Sequence, residues 1–284
     1  MKQLVMITGA GGQLGEAMAL QMAARHEIVA LHRHELDLAD GPAVFAAVGA
    51  ICPDVIVNCA AYTNVDAAER EPLAALSANA WAVRALARAA NEINATLVHF
   101  STDFVFDGVE DGPYTEDDTP NPRGVYATSK LLGEWFAAEA PESYVLRVES
   151  LFGGPKGKST IDRILQNILS GTEVRAFADR TVSPSYVEDV VAATMGLLEK
   201  KSPSGLYHCV NSGWTTWAGV ARELAAITGR PDAPIREVSV ADVPLVPPRP
   251  KFAALSNRRL TAQGIEMPSW QSALRRHVES LEKS

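Results

Sequence analysis

The chain is poor in cysteine, in aromatic side chains and in long apolar runs. Its three cysteines, Cys52, Cys59 and Cys209, are odd in number and form no CxxC pair, which speaks against a disulfide framework or a zinc ribbon. They read as small hydrophobes of a reducing compartment. No apolar stretch approaches the ~18 residues of a membrane-spanning helix. Residues 1–8 lead straight into a glycine cluster, without a signal peptide's long apolar core and cleavage site. A cytoplasmic protein with no membrane partner is expected. Basic residues are also outnumbered, 26 Lys and Arg against 34 Asp and Glu, for a net charge of −8. Nucleic acid, which needs a basic surface, is therefore not an expected partner. A phosphorylated small molecule in one locally positive pocket remains compatible with that charge. The 47% hydrophobic share excludes a disordered chain, and 284 residues can bury a core without staples.

What is present is an alternation. Short apolar runs at residues 4–7, 27–31, 54–58, 96–100 and 143–147 alternate with Ala- and Leu-rich helical patterns at 13–25, 42–48 and 73–94. Strands that are apolar almost throughout are those buried on both faces. The pattern predicts an α/β fold with a doubly wound, parallel, Rossmann-like sheet. It loosens after residue 152, with a loop at 153–158, a helix at 160–169, a strand at 205–210 and helices at 217–228 and 269–282. The four prolines within 242–250 exclude helix or central strand there. The expected organisation is a dinucleotide-binding domain over 1–152, onto which parts of 173–200 and 205–230 could pack back. A smaller mixed α/β substrate-binding region is expected over 153–284.

The first strand runs into Thr8-Gly9-Ala10-Gly11-Gly12-Gln13-Leu14-Gly15, with the spacing Gly9-x-x-Gly12-x-x-Gly15. Glycine permits a tight turn and close approach of backbone to a pyrophosphate, and the following helix aims its first N–H groups at the phosphates. The cofactor's 2′ position is read at the end of the second strand. No acid stands there in Leu31-His32-Arg33-His34-Glu35, and Arg33 can pair with a 2′-phosphate. NADPH is therefore favoured, while Glu35 leaves NADH open. Asp37 and Leu38 follow, placed to lie against the adenine.

Tyr126 and Lys130 stand at i and i+4, on one helical face. A tyrosine can protonate a carbonyl as hydride arrives, and a neighbouring ammonium can lower its pKa from the usual ~10. The pair follows the fourth strand, whose end reads His99-Phe100-Ser101-Thr102-Asp103-Phe104. A hydroxyl at that end can orient a substrate carbonyl, Thr102 first and Ser101 second.

Together with Asn58-Cys59-Ala60-Ala61-Tyr62-Thr63-Asn64-Val65-Asp66-Ala67-Ala68-Glu69, Ser101-Thr102-Asp103-Phe104-Val105-Phe106 and Asn79, these motifs resemble the extended short-chain dehydrogenase/reductases. Within them the chain is similar to the dTDP-4-dehydrorhamnose reductase family over almost its whole length. The resemblance implies reduction of the 4-keto group of a sugar nucleotide. It implies Tyr126 as proton donor, Lys130 as its activator and Thr102 as carbonyl partner. Cofactor contacts are implied at Gly9, Gly12, Gln13, Leu14, Asp37, Leu38, Ala60, Ala61, Tyr62 and Asn79, with Lys130 also holding the ribose. Asp103, Phe104 and Ser150 fall on the substrate side. Ser150 stands where the family typically carries a tryptophan against the sugar, which removes stacking area. Some members pair subunits through a metal held by glutamates. Here only Glu188 matches and Ala17 replaces another, so no metal is expected and a homodimer is left open. A tightly held NAD in an epimerase or dehydratase, or a catalytically silent binding subunit, are the competing readings.

Overall fold

The computed structural model describes residues 2–155, 157–244 and 246–283. Residue 156, in the loop expected at 153–158, and residue 245, in the proline-rich stretch, lie outside them.

The first five apolar runs are strands: β1 (Leu4–Thr8), β2 (Glu27–Leu31), β3 (Val55–Asn58), β4 (Thr96–Thr102) and β5 (Glu142–Val148). A sixth, β6 (Gly205–His208), returns from the second half of the chain and pairs with β5. Among the described residues they form one six-stranded sheet in the order β2-β1-β3-β4-β5-β6, parallel throughout. The order reverses between β1 and β3, which opens a crevice at their carboxyl ends.

Alternate side chains serve opposite faces. Val5, Ile7, Val55, Val57 and Val98 enter one core, with helix α1 (Gln13–Met22) and a helix from later in the chain. Met6, Ile56 and Leu97 enter the other, with α2 (Gly41–Ile51) and α3 (residues 72–93). The Asp40 carboxylate starts α2 by accepting the Ala43 N–H at 3.1 Å. The sequence pattern predicts α3 as one regular helix. It is instead two α-helical segments, Pro72–Leu76 and Ala82–Ile93, joined by a π-helical turn over Ser77–Trp81. Such turns favour functional sites because they re-aim side chains.

Four further helices follow: α4 (Val125–Ala137), α5 (Thr160–Ser170), α6 (Val187–Glu199) and α7 (Trp217–Ile227). A last one, α8 (Trp270–Glu282), closes the chain. Helix α6 is the late contributor to the first core, packing on α1 through Val187, Val190 and Val191. A third core joins Phe152, α5, α7 and α8 with the parallel strand pair Val174–Phe177 and Ile235–Val238. The strand expected at 205–210 and helix α6 thus belong with the main sheet, and the mixed layer is built from what remains. None of the described helices is long and apolar enough to cross a membrane.

Candidate active site

The functional residues gather at the carboxyl ends of β1, β3, β4 and β5. Gly9 adopts φ +68°, and a Cβ there would lie 2.6 Å from the Ala60 nitrogen. A Cβ on Gly15 would lie 2.3 Å from the Gly9 carbonyl oxygen. Both glycines are therefore forced by close packing of the loop against β3 and of α1 against the loop. Gly12 caps α1 without a side chain, so the helix's first N–H groups stay available to an anion.

Beside this loop opens a cavity of about 610 Å³, lined by Gly9, Gly12, Arg33, Asp37, Leu38, Ala60, Ala61 and Tyr62 among others. Its size lies within the ~300–1,000 Å³ range of ligand pockets. Arg33 reaches this wall and forms no salt bridge among the described residues. Glu35 is turned away: its Oε2 accepts the His32 N–H at 2.8 Å. The cradle, the exposed helix N-terminus and the open guanidinium fit a dinucleotide carrying a 2′-phosphate.

Three of the expected cofactor residues stand elsewhere. The Leu14 side chain is buried in the core under α1, because the helix turns that position inward. Gln13 donates from Nε2 to the Gly153 carbonyl at 2.8 Å, tying the glycine loop to the second half of the chain. Asn79 is fully buried in the π turn. Its Oδ1 accepts the Tyr62 N–H at 2.8 Å, and its Nδ2 donates to the Tyr62 carbonyl and to Ser129 Oγ. Asn79 therefore shapes the cavity through the Tyr62 backbone and links it to α4. The bulge admits α4 closely enough that a Cβ on Gly133 would lie 2.2 Å from the Asn79 carbonyl oxygen.

Helix α4 carries Tyr126 and Lys130, and its N-terminus is capped from a distance. Gly124 offers no side chain. Glu69 Oε1 instead accepts the Val125 N–H at 2.7 Å, from the loop that follows the cavity wall. Lower down, Glu134 receives Arg147 from β5, with Nε to Oε1 at 2.8 Å and Nη2 to Oε2 at 2.7 Å. Ser101 from β4 also donates to Glu134.

The structure does not set Lys130 against the Tyr126 hydroxyl as the spacing suggests. Its Nζ donates to the Phe100 carbonyl at 2.5 Å and lies 3.4 Å from His99 Nε2. His99 Nδ1 in turn meets Asn58 Nδ2 at 3.1 Å. Burial holds His99 well below its usual range, and the Lys130 charge adds to this. Burial also brings Lys130 down to about 8, against the raising effect of Glu134. A buried ammonium seeks acceptors, and a strand-end carbonyl lies nearer its stem than the phenol does. Tyr126 feels other groups. Burial pushes its phenol up to about 12, a hydrogen bond with Thr102 opposes this, and the Asp103 charge adds to it. The Thr102 hydroxyl also donates to Asp103 Oδ1 at 2.9 Å. Phe104 packs edge-on to Tyr126, with ring centroids 5.7 Å apart, and the Arg180 and Arg249 guanidiniums lie over the Phe104 ring.

With this geometry in view, the comparisons are specific. The family model described as RmlD substrate binding domain matches residues 1–283. This chain belongs to that family. As an RmlD-family member it is 36% identical over 278 residues to a dTDP-4-dehydrorhamnose reductase of Mycobacterium tuberculosis, covering 95% of this chain and 90% of the relative. The crystal structure of the dTDP-4-dehydrorhamnose reductase of Bacillus anthracis, solved in complex with NADP, superposes with a TM-score of 0.93. That match has 31% identity and covers 99% of this chain and 100% of that one. The Thermus thermophilus UDP-glucose 4-epimerase, 21% identical with a TM-score of 0.84 and 99% of each chain covered, shares the fold.

On the substrate side of this RmlD-family site, Ser150 takes a left-handed backbone, φ +47°, a conformation strained for a bulky side chain. Its neighbour Glu149 is buried with Asp103 and Arg180. Reasoning from sequence passes over Glu149, Arg180, Glu69 and Glu134. The one available signal was a carboxylate inside the apolar run Leu146-Arg147-Val148-Glu149-Ser150-Leu151-Phe152.

Proposed function

We propose that this chain is an NADPH-dependent reductase of the 4-keto group of a nucleotide-linked deoxysugar, converting dTDP-4-dehydrorhamnose to dTDP-rhamnose. The carrying observation is the Thr102–Tyr126 pair at the end of β4, beside a glycine-cradled cavity that presents an open Arg33. Bound NADPH supplies the hydride that reaches the carbonyl carbon. Gly9, Gly12 and the first turn of α1 hold the pyrophosphate, Arg33 the 2′-phosphate, and Asp37, Leu38 and Ala60–Tyr62 the walls around them.

Tyr126 gives the proton to the carbonyl oxygen. With its pKa near 12 the phenol carries that proton throughout the neutral range, and the oxygen that gains hydride character is the stronger base. Thr102 orients the carbonyl. Lys130, anchored on the Phe100 carbonyl, serves the ribose side of the cofactor and charges the site. The sugar nucleotide lies between the strand ends and the layer drawn from residues 153–284, with Asp103, Phe104 and Ser150 on its side. The division of the chain into a cofactor portion and a substrate portion is part of this proposal.

The test is NADPH oxidation against a panel of nucleotide 4-keto sugars that includes dTDP-4-dehydrorhamnose. Turnover with that compound is the expected result. NADPH binding without oxidation of any member would overturn the proposal in favour of a silent binding subunit. Arg33→Ala is expected to weaken NADPH by roughly tenfold or more, from loss of one charge-assisted contact, and to leave NADH almost unchanged. Titrating both cofactors into the variant decides this. Equal loss for the two would make Arg33 a surface charge only.

A further inference from the structure

Among the described residues, the buried polar atoms without a hydrogen-bond partner include three from one place: Asp103 Oδ2, Glu149 Oε1 and Arg180 Nε. Asp103 and Glu149 are each 2% exposed. Unsatisfied buried atoms are uncommon and call for an explanation, and three in contact with one another's charges call for a single one. They come from different parts of the fold. Asp103 follows β4, Glu149 follows β5, and Arg180 follows the Val174–Phe177 strand. The other charged or titratable groups acting on this cluster are Tyr126 of α4, on which Asp103 acts, and Arg249 of the proline-rich segment, which acts on Arg180.

The other halves of both carboxyls are occupied. Thr102 donates to Asp103 Oδ1 at 2.9 Å. The Ser183 N–H donates to Glu149 Oε2 at 2.6 Å. One bare oxygen is left on each acid. With both acids ionised, two buried negative charges would face one guanidinium. A single proton makes the cluster neutral, which desolvation strongly favours. The direction agrees: burial raises Glu149 far above the usual carboxylate range, the Asp103 charge raises it further, and burial lifts Asp103 to about 6.

The bonded path from this cluster leads to the reaction. Asp103 is joined to the Thr102 hydroxyl, and that hydroxyl is joined to the Tyr126 phenol. Lys130, by contrast, is committed to the Phe100 carbonyl.

We propose that Asp103 and Glu149 share one proton and that this proton, passed through the Thr102 hydroxyl, replaces the one Tyr126 gives to the substrate. This rests on Tyr126 being the donor named above. The balance is simple. As the Tyr126 O–H bond breaks and the product O–H forms, the Thr102 O–H bond breaks and the Tyr126 O–H re-forms. The acid pair gives its proton to Thr102 and takes one from water. One proton moves from water to product for each hydride that NADPH supplies. Glu149 touches no reacting atom in this scheme and acts as a positioning residue for the proton.

Two measurements on the full chain test it. Infrared spectra at neutral pH are expected to show a protonated carboxyl band in the wild type that Glu149→Gln removes. In turnover with the keto sugar, Glu149→Gln is expected to move the alkaline fall in kcat lower by about one pH unit or more, with KM changed less than about twofold. Glu149→Asp, which keeps an acid, should recover part of the shift. Absence of the band in the wild type overturns the shared proton. Identical alkaline limbs, or an equal fall in kcat at every pH, overturn the delivery to Tyr126. A wild type that shows the band yet reduces no keto sugar overturns the functional reading and the delivery with it, while the shared proton stands.

Discussion

Tyr126→Phe is expected to lower kcat by roughly 10²–10⁴-fold, the usual contribution of a positioned acid, while the dissociation constant for NADPH changes less than about twofold. The substitution removes one oxygen and keeps the ring that packs edge-on to Phe104 at 5.7 Å. The cavity lined by Gly9, Arg33 and Tyr62 is not touched. Loss of rate without loss of cofactor separates proton transfer from binding. Single-turnover NADPH oxidation, with cofactor affinity measured in parallel, reads both. Turnover equal to wild type would remove Tyr126 from the chemistry and leave Thr102 without a partner in it.

Arg147→Ala is expected to destabilise the chain by about 3–5 kcal/mol, the typical result of breaking a buried ion pair from one side. Arg147 is 1% exposed and its guanidinium also lies over the Phe106 ring, 4.8 Å from the centroid. Removing it strands the Glu134 carboxylate in the interior beside Ser101. The loss bears on function because this pair ties α4, and so Tyr126, to β4 and β5. Urea unfolding of the variant gives the magnitude. Replacing both partners together, as Arg147→Met with Glu134→Leu, should recover much of the loss, since matched apolar groups carry no stranded charge. A double variant as unstable as the single one would place the cost in packing.

The sheet was legible because its signals are local. Each of the five apolar runs became a strand within two residues at either end, and the glycine loop sat where a strand hands over to a helix. The part of the site made by single segments was legible for the same reason. Gly9, Gly12, Arg33, Asp37, Leu38 and Ala60–Tyr62 all reach one cavity. What escaped depends on contacts across the chain. A π turn inside an Ala-rich pattern leaves no mark in periodicity, so the inward aim of Asn79 was hidden. Spacing puts Lys130 and Tyr126 on one face, but the end of a four-carbon stem goes to the nearest acceptor, and that is a carbonyl of β4. Glu149 and Arg180 meet only because the second half of the chain returns beside the sheet.

Glu69 has a consequence for re-engineering. The loop that continues from the cofactor cavity supplies the missing cap of the helix bearing Tyr126. Its Asp66 also holds Arg249, at 2.6 Å, beside the ring of Phe104. These segments are therefore not interchangeable parts. A chimera that imported residues 58–69 from a relative, to alter cofactor choice, would also redraw the start of α4 and the edge of the sugar pocket. Transplants in this scaffold should move that loop together with the beginning of α4 and the residues around 249, as one piece.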